Sequence, residues 1–139
     1  MSSDNDNAFE KAMARYEAGE AANELLNDFE DMILINPNNA ALWTCLSWLQ
    51  LLTGNSESAL KSARTAVKLN PQDPQARINL SLSLLETNSK GVRDHIELVR
   101  RAIVVMPEIE TELKKSIADG LVRKPDWKSL EKVKNWLNL

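Results

Sequence analysis

Glycine and proline are scarce in this chain, at four and five among 139 residues. A β architecture needs such residues at nearly every hairpin, so their scarcity excludes a turn-rich β fold. There is a single cysteine, Cys45, so no internal disulfide can form, and a reducing compartment suits the composition. The lone histidine, His95, has no metal-ligand or catalytic partner at a sensible spacing. A phosphate-cradling glycine loop and a nucleophile elbow are both missing. No stretch approaches the ~18 consecutive apolar residues of a membrane span. The start, Ser2-Ser3-Asp4-Asn5-Asp6-Asn7, is polar and acidic, unlike the basic-then-apolar plan of a signal peptide. The net charge is only −3, which gives no electrostatic case for nucleic acid or an anionic membrane. The expectation is a cytoplasmic protein that is not an enzyme, carries no cofactor or metal, and binds neither nucleic acid nor membrane.

What the chain does have is a regular period. Apolar residues make up 43%, enough for a core. Three segments end alike: Leu34-Ile35-Asn36-Pro37, Val67-Lys68-Leu69-Asn70-Pro71 and Val104-Val105-Met106-Pro107. Pro37 and Pro71 are 34 residues apart (71 − 37), and Pro71 and Pro107 are 36 apart (107 − 71). Proline disfavours helix in the residue before it and cannot extend a helix that runs into it, so each marks a boundary between helices. In the middle unit, Trp43, Leu46 and Ser47 open a first helix, Gly54 falls in the turn, and Ala59 and Ala66 sit on a second. Small side chains there let neighbouring backbones approach.

This period and these residues resemble the tetratricopeptide repeat, a helix–turn–helix unit of 34 residues. The resemblance covers roughly residues 6–107. It implies an all-α fold, a right-handed α-solenoid of antiparallel helix hairpins. The units are 6–39, 40–73 and 74–107, after a disordered tail over 1–5. The third unit fits at Leu80, Ser81, Ala102 and Pro107. It has two extra residues in its turn near Asn88-Ser89-Lys90-Gly91, which puts His95 where the family has a small residue. The first unit fits at Phe9, Tyr16, Phe29 and Pro37, but Leu25 and Met32 replace alanines. Residues 108–139 read as a degenerate fourth hairpin that caps the stack. Its last helix has an apolar stripe of Trp127, Leu130, Val133 and Leu137 at spacings of three and four. About eight helices are expected.

By the same resemblance, Trp43 packs in the core, while Trp48 falls on the face that lines the concave groove. That face carries Cys45, Trp48, Leu51 and Leu52, beside Gln75, Ile78, Asn79, Leu82 and Leu85 of the next unit. Lys114 and Lys115 stand on the same nominal face of the following helix. So apolar a groove is either a peptide-binding surface or is covered by the capping helix or a second subunit. The positions that carry the acidic-tail clamp in some relatives hold Glu10, Ala14, Cys45, Gln75 and Asn79 here. They lack the cations a clamp needs. Cys45 reads as a small apolar filler, and Trp127 and Trp136 as capping or interface residues.

The leading functional expectation is an interaction module or adaptor that holds an apolar or amphipathic segment of another protein in the groove. A small secretion or assembly chaperone and a self-associating structural protein stand beside it. Charge is uneven: residues 1–39 sum to −7 (2 − 9) and residues 110–139 to +2 (7 − 5). With the two ends of a solenoid far apart, this implies weak, salt-sensitive head-to-tail association, or steering of a basic partner to the N-terminal end.

Overall fold

The computed structural model describes residues 2–139, with side chains from residue 7 onward. Eight α-helices form among the described residues: α1 (Ser2–Glu17), α2 (Leu26–Ile35), α3 (Ala40–Leu52), α4 (Ser56–Leu69), α5 (Pro74–Glu86), α6 (Val92–Val105), α7 (Glu108–Arg123) and α8 (Lys128–Trp136). They pair as antiparallel hairpins and stack as an all-α solenoid. Of the tail expected over residues 1–5, Met1 lies outside the described residues, and the backbone is helical from Ser2. Serine, aspartate and asparagine are the residue types a helix start favours, so the polar composition suits α1.

The repeat is written in the backbone geometry. The second helices α2, α4 and α6 end at Asn36, Asn70 and Met106, with φ/ψ of −134/73°, −141/84° and −130/86°. Each of these residues precedes a proline, whose ring forces its neighbour out of the helical region. Two of the next helices, α3 and α5, then start on short polar caps, while α7 starts directly at Pro107. The Asn39 side chain accepts from the backbone N–H of Ala41 at 3.0 Å, and Asp73 accepts from that of Gln75 at 3.0 Å. Such a cap satisfies donors the helix cannot use and is worth about 1 kcal/mol. Three residues join α3 to α4 and five join α5 to α6, which accounts for the two extra residues. Asn88 (φ 54°) holds the left-handed position that Gly54 (φ 78°) holds in the shorter turn.

The first and third units accommodate their departures from the pattern. Leu25 and Met32 are buried with Phe29 and Ala12, so larger side chains fill the space between α1, α2 and α3. Phe9 meets Phe29 edge-on, with ring centroids 6.2 Å apart. His95 is half-buried, its Nδ1 2.9 Å from Arg77 Nη1. The guanidinium donates, so Nδ1 is the unprotonated nitrogen. Burial first, then the Arg77 charge, holds the imidazole below its ordinary pKa.

The fourth hairpin does not simply extend the stack. It folds inward across the concave surface. Trp127, Leu130, Val133 and Leu137 are all buried, and they join Leu51, Ile78 and Leu82 of α3 and α5 with Leu113 and Ile117 of α7 in one cluster. Gly120 makes this approach possible. A Cβ there would come within 2.7 Å of Leu130 Cδ2 and 2.9 Å of the Trp48 ring.

The inward fold also overturns the idea that the two ends are far apart. Arg123, at the end of α7, donates to the Glu20 carbonyl at 3.0 Å and to the Tyr16 carbonyl. Head-to-tail stacking through widely separated ends therefore loses its premise. Gly120→Ala is expected to lower the unfolding free energy by about 1–3 kcal/mol through overpacking against a rigid indole. Urea denaturation would measure it, and an unchanged midpoint would mean that α7 does not approach Trp48 this closely.

Candidate functional site

The expected groove residues separate into two groups. Leu51, Ile78 and Leu82 are fully buried beneath α8, and Leu52 and Leu85 pack half-buried against the same cluster. These five do not line an open surface, because the apolar stripe of α8 covers them. Asn79 is also inaccessible. Its amide donates to the Thr44 carbonyl and Ser47 Oγ, each at 3.0 Å, and its Oδ1 accepts from Gln75 Nε2 at 2.8 Å. That fully satisfied amide ties α5 to α3 and is not an unused ligand group. Lys114 is exposed and pairs with Glu110 at 3.4 Å on its own helix.

The two tryptophans of α3 exchange their expected roles. Trp48 is buried (8% exposed) and Trp43 is half-buried. Trp43 packs against the first hairpin and donates its N–H to the Pro37 carbonyl at 2.8 Å. Trp48 lies between α1, α7 and α8. Its ring centroid is 5.2 Å from that of Trp127, and its N–H donates to the Tyr16 hydroxyl at 2.8 Å. Tyr16 in turn donates to Asp119. Arg123 binds Asp119 at 3.2 Å and stacks 3.6 Å above the Tyr16 ring. Burial, and then the hydrogen bond to Asp119, raises the Tyr16 pKa far above the ordinary phenol value. On the other side, Trp127 donates to Glu86 at 2.5 Å.

What stays open is the N-terminal half of the concave face. A cleft of about 450 Å³ lies between α1, α3, α5 and α7. Met13, Tyr16 and Phe29 form one wall, and Cys45, Trp48 and Leu49 another. Gln75 and Lys115 stand at its edges with Glu17, Ser116 and Asp119. Of the expected site residues, Cys45, Trp48, Gln75 and Lys115 reach this cleft, and Asn79 lies buried behind its lining. Burial first, then the Asp73 carboxylate, pushes the Cys45 thiol up to about 12. It is a wall residue and not an activated nucleophile. No three-residue His, Cys, Asp or Glu cluster able to hold a metal forms among the described residues. None of their helices is long and apolar enough to cross a membrane.

The sequence reading missed Met13 and Tyr16 of the facing wall and Asp119 at the edge. One signal was available. Gly120 is the only glycine within a helix, and a helical glycine marks a close approach by another element. Asp119 and Arg123, four apart, flank it on one turn.

No protein-family model matches the chain. It is similar to the CTR9 homolog of Arabidopsis thaliana, 30% identical over 82 residues that make up 59% of this chain. The chain spans only 7% of that protein's length. Among solved structures it is similar to the Yersinia enterocolitica type III secretion translocator chaperone SycD, in a structure described as an alternative dimer. The TM-score is 0.68 at 14% identity, over 97% of this chain and 95% of that one. The second likeness is one of fold.

Trp48→Ala is expected to cost about 3–5 kcal/mol of stability, as for an emptied core aromatic site. Trp43→Ala should cost about 1–2 kcal/mol, since it loses partial burial and one hydrogen bond. Denaturation of the two variants in parallel checks this, and equal costs, or the reverse order, would contradict the exchange of roles. Alkylation of Cys45 at pH 8 should run about 10²–10³-fold slower than for a free thiol, because so little thiolate is present. A rate equal to that of a free thiol would place Cys45 outside the apolar wall.

Proposed function

We propose that this chain is a non-catalytic, protein-binding module of tetratricopeptide type that takes a short apolar segment of another polypeptide into the cleft between α1, α3, α5 and α7. The observation that carries the reading is the cleft itself: about 450 Å³, lined by Met13, Phe29, Cys45 and Leu49, with Thr44 and Asn79 buried behind it and Glu17, Gln75, Lys115 and Ser116 as its more exposed polar groups. Concave apolar sites with a few polar groups at the rim are the usual form of binding pockets. The cleft is short because α8 fills the rest of the groove. An extended segment offering one or two large apolar side chains fits it better than a long amphipathic helix. Gln75 and Lys115 at the edges can meet a backbone carbonyl or a carboxylate of that segment. A cytoplasmic setting belongs to the same proposal.

An assembly or secretion chaperone is the specific form favoured by one observation, the likeness to a secretion chaperone over nearly the whole of both chains. In that form the bound segment belongs to a client held before it assembles, and a homodimer is a reasonable state for the module.

Peptides selected from a displayed random library on the full chain test the reading. Enriched sequences should carry large aliphatic or aromatic residues. Two variants that fill the cleft, Cys45→Phe from its wall and Ser116→Trp from its edge, should each weaken a selected peptide by about tenfold or more, near 1.4 kcal/mol. Thermal melting confirms that each variant is folded. Undiminished binding to both folded variants would rule the cleft out as the site.

A further inference from the structure

The second helices of the three hairpins end in apolar side chains that the fold leaves uncovered. Leu34 and Ile35 close α2, Leu69 closes α4, and Val104 and Val105 close α6. They are 80%, 67%, 37%, 77% and 78% exposed. Ile35, Leu69 and Val105 each stand two residues before a proline, and the three helices end in one shared backbone conformation. Equivalent side chains are thus presented along one edge of the solenoid. Single exposed apolar residues are ordinary, but a row repeated through three units is a contact surface.

The charges one turn back along the helices change sign from one end of the row to the other. In α2 they are Glu30 and Asp31, three to five residues before Leu34 and Ile35. In α6 the equivalent positions are Arg100 and Arg101, before Val104 and Val105. Residues three and four apart share a helix face, so charge and apolar side chain are presented together. All four charges are exposed. Glu30, Asp31 and Arg101 have no ion-pair partner among the described residues, and Arg100 is held by Glu97 and the Trp136 carbonyl.

We propose that this row is the docking face for a second copy of the same chain, laid antiparallel about a twofold axis near Leu69. Antiparallel pairing sets the acidic end of one copy on the basic end of the other, twice over, with the apolar side chains between them. The charge pattern selects the occupant. A uniformly acidic or basic partner meets repulsion at one end, whereas the chain is its own complement. Both ends are used at once, so the contact closes at two copies. In α4 the position equivalent to Glu30 and Arg100 holds the exposed Arg64, so Arg64 and Lys68 both approach their own copies near the axis, which keeps the pairing weak. This surface lies on the edge formed by the second helices and is independent of the cleft.

Sedimentation equilibrium of the full chain over a wide concentration range tests the pairing. A monomer–dimer equilibrium with no larger species is expected. Asp31→Arg and Arg101→Asp should each raise the dimer Kd by about tenfold or more, since each reversal makes both charge contacts repulsive. Mixing the two single variants should restore pairing, because every contact between unlike copies is again complementary. These positions are exposed, so the melting temperature of each variant should stay near that of the parent. A chain that stays monomeric throughout, species that grow beyond two copies, or reversals that leave the Kd unchanged would each overturn the proposal.

Discussion

The indole of Trp48 is the contact on which the arrangement of the concave face depends. It touches three elements that are distant in sequence. Tyr16 of α1 takes its N–H, Gly120 of α7 lets a backbone close on its ring, and Trp127 at the start of α8 packs against it. The stripe of α8 also packs on Leu51, Ile78 and Leu82, but without a large, nearly rotamer-fixed side chain at this point the fourth hairpin would lose the contact that joins α1, α7 and α8. The polar tip matters as much as the apolar body, because a buried N–H needs a partner. Tyr16 can supply one because Asp119 and Arg123 fix its hydroxyl from the far side.

That chain of contacts changes the kind of molecule a repeat array makes. In an open solenoid each unit touches only its neighbours, and stability is close to a sum of local terms. Here Arg123 reaches carbonyls of Tyr16 and Glu20, more than one hundred residues away in sequence. First and last units are held to each other as well as to the ones between. The same closure divides the concave face in two. The part under α8 is core, and the part beside α1 is the cleft.

Much of the fold was legible because its signals are local. The helix boundaries at Pro37, Pro71 and Pro107 and the turn at Gly54 need no information from elsewhere in the chain. The site was only half legible. Cys45, Trp48, Gln75 and Lys115 were placed on the concave side by helix periodicity and the repeat resemblance, and they reach the cleft. Leu51, Ile78 and Leu82 were placed on the same face and are covered. Periodicity says which side chains share a face, but not what lies on that face. The covering depends on how α7 and α8 turn after Pro107 and Pro125, which no local rule fixes. The exchange between Trp43 and Trp48 has the same origin. Both sit on α3, and only the tertiary placement of α7 and α8 decides which is enclosed.

The position of the fourth hairpin also bears on how the chain is made. Residues 108–139 are synthesised after the three hairpins they cover. Until they emerge, Trp48, Leu51, Ile78 and Leu82 lack the cover of Trp127, Leu130 and Val133, and the nascent solenoid presents an apolar trough to its surroundings. Exposed apolar surface of that kind invites aggregation and chaperone capture. The folded chain escapes this hazard because α7 and α8 arrive tethered, at an effective concentration set by a short linker.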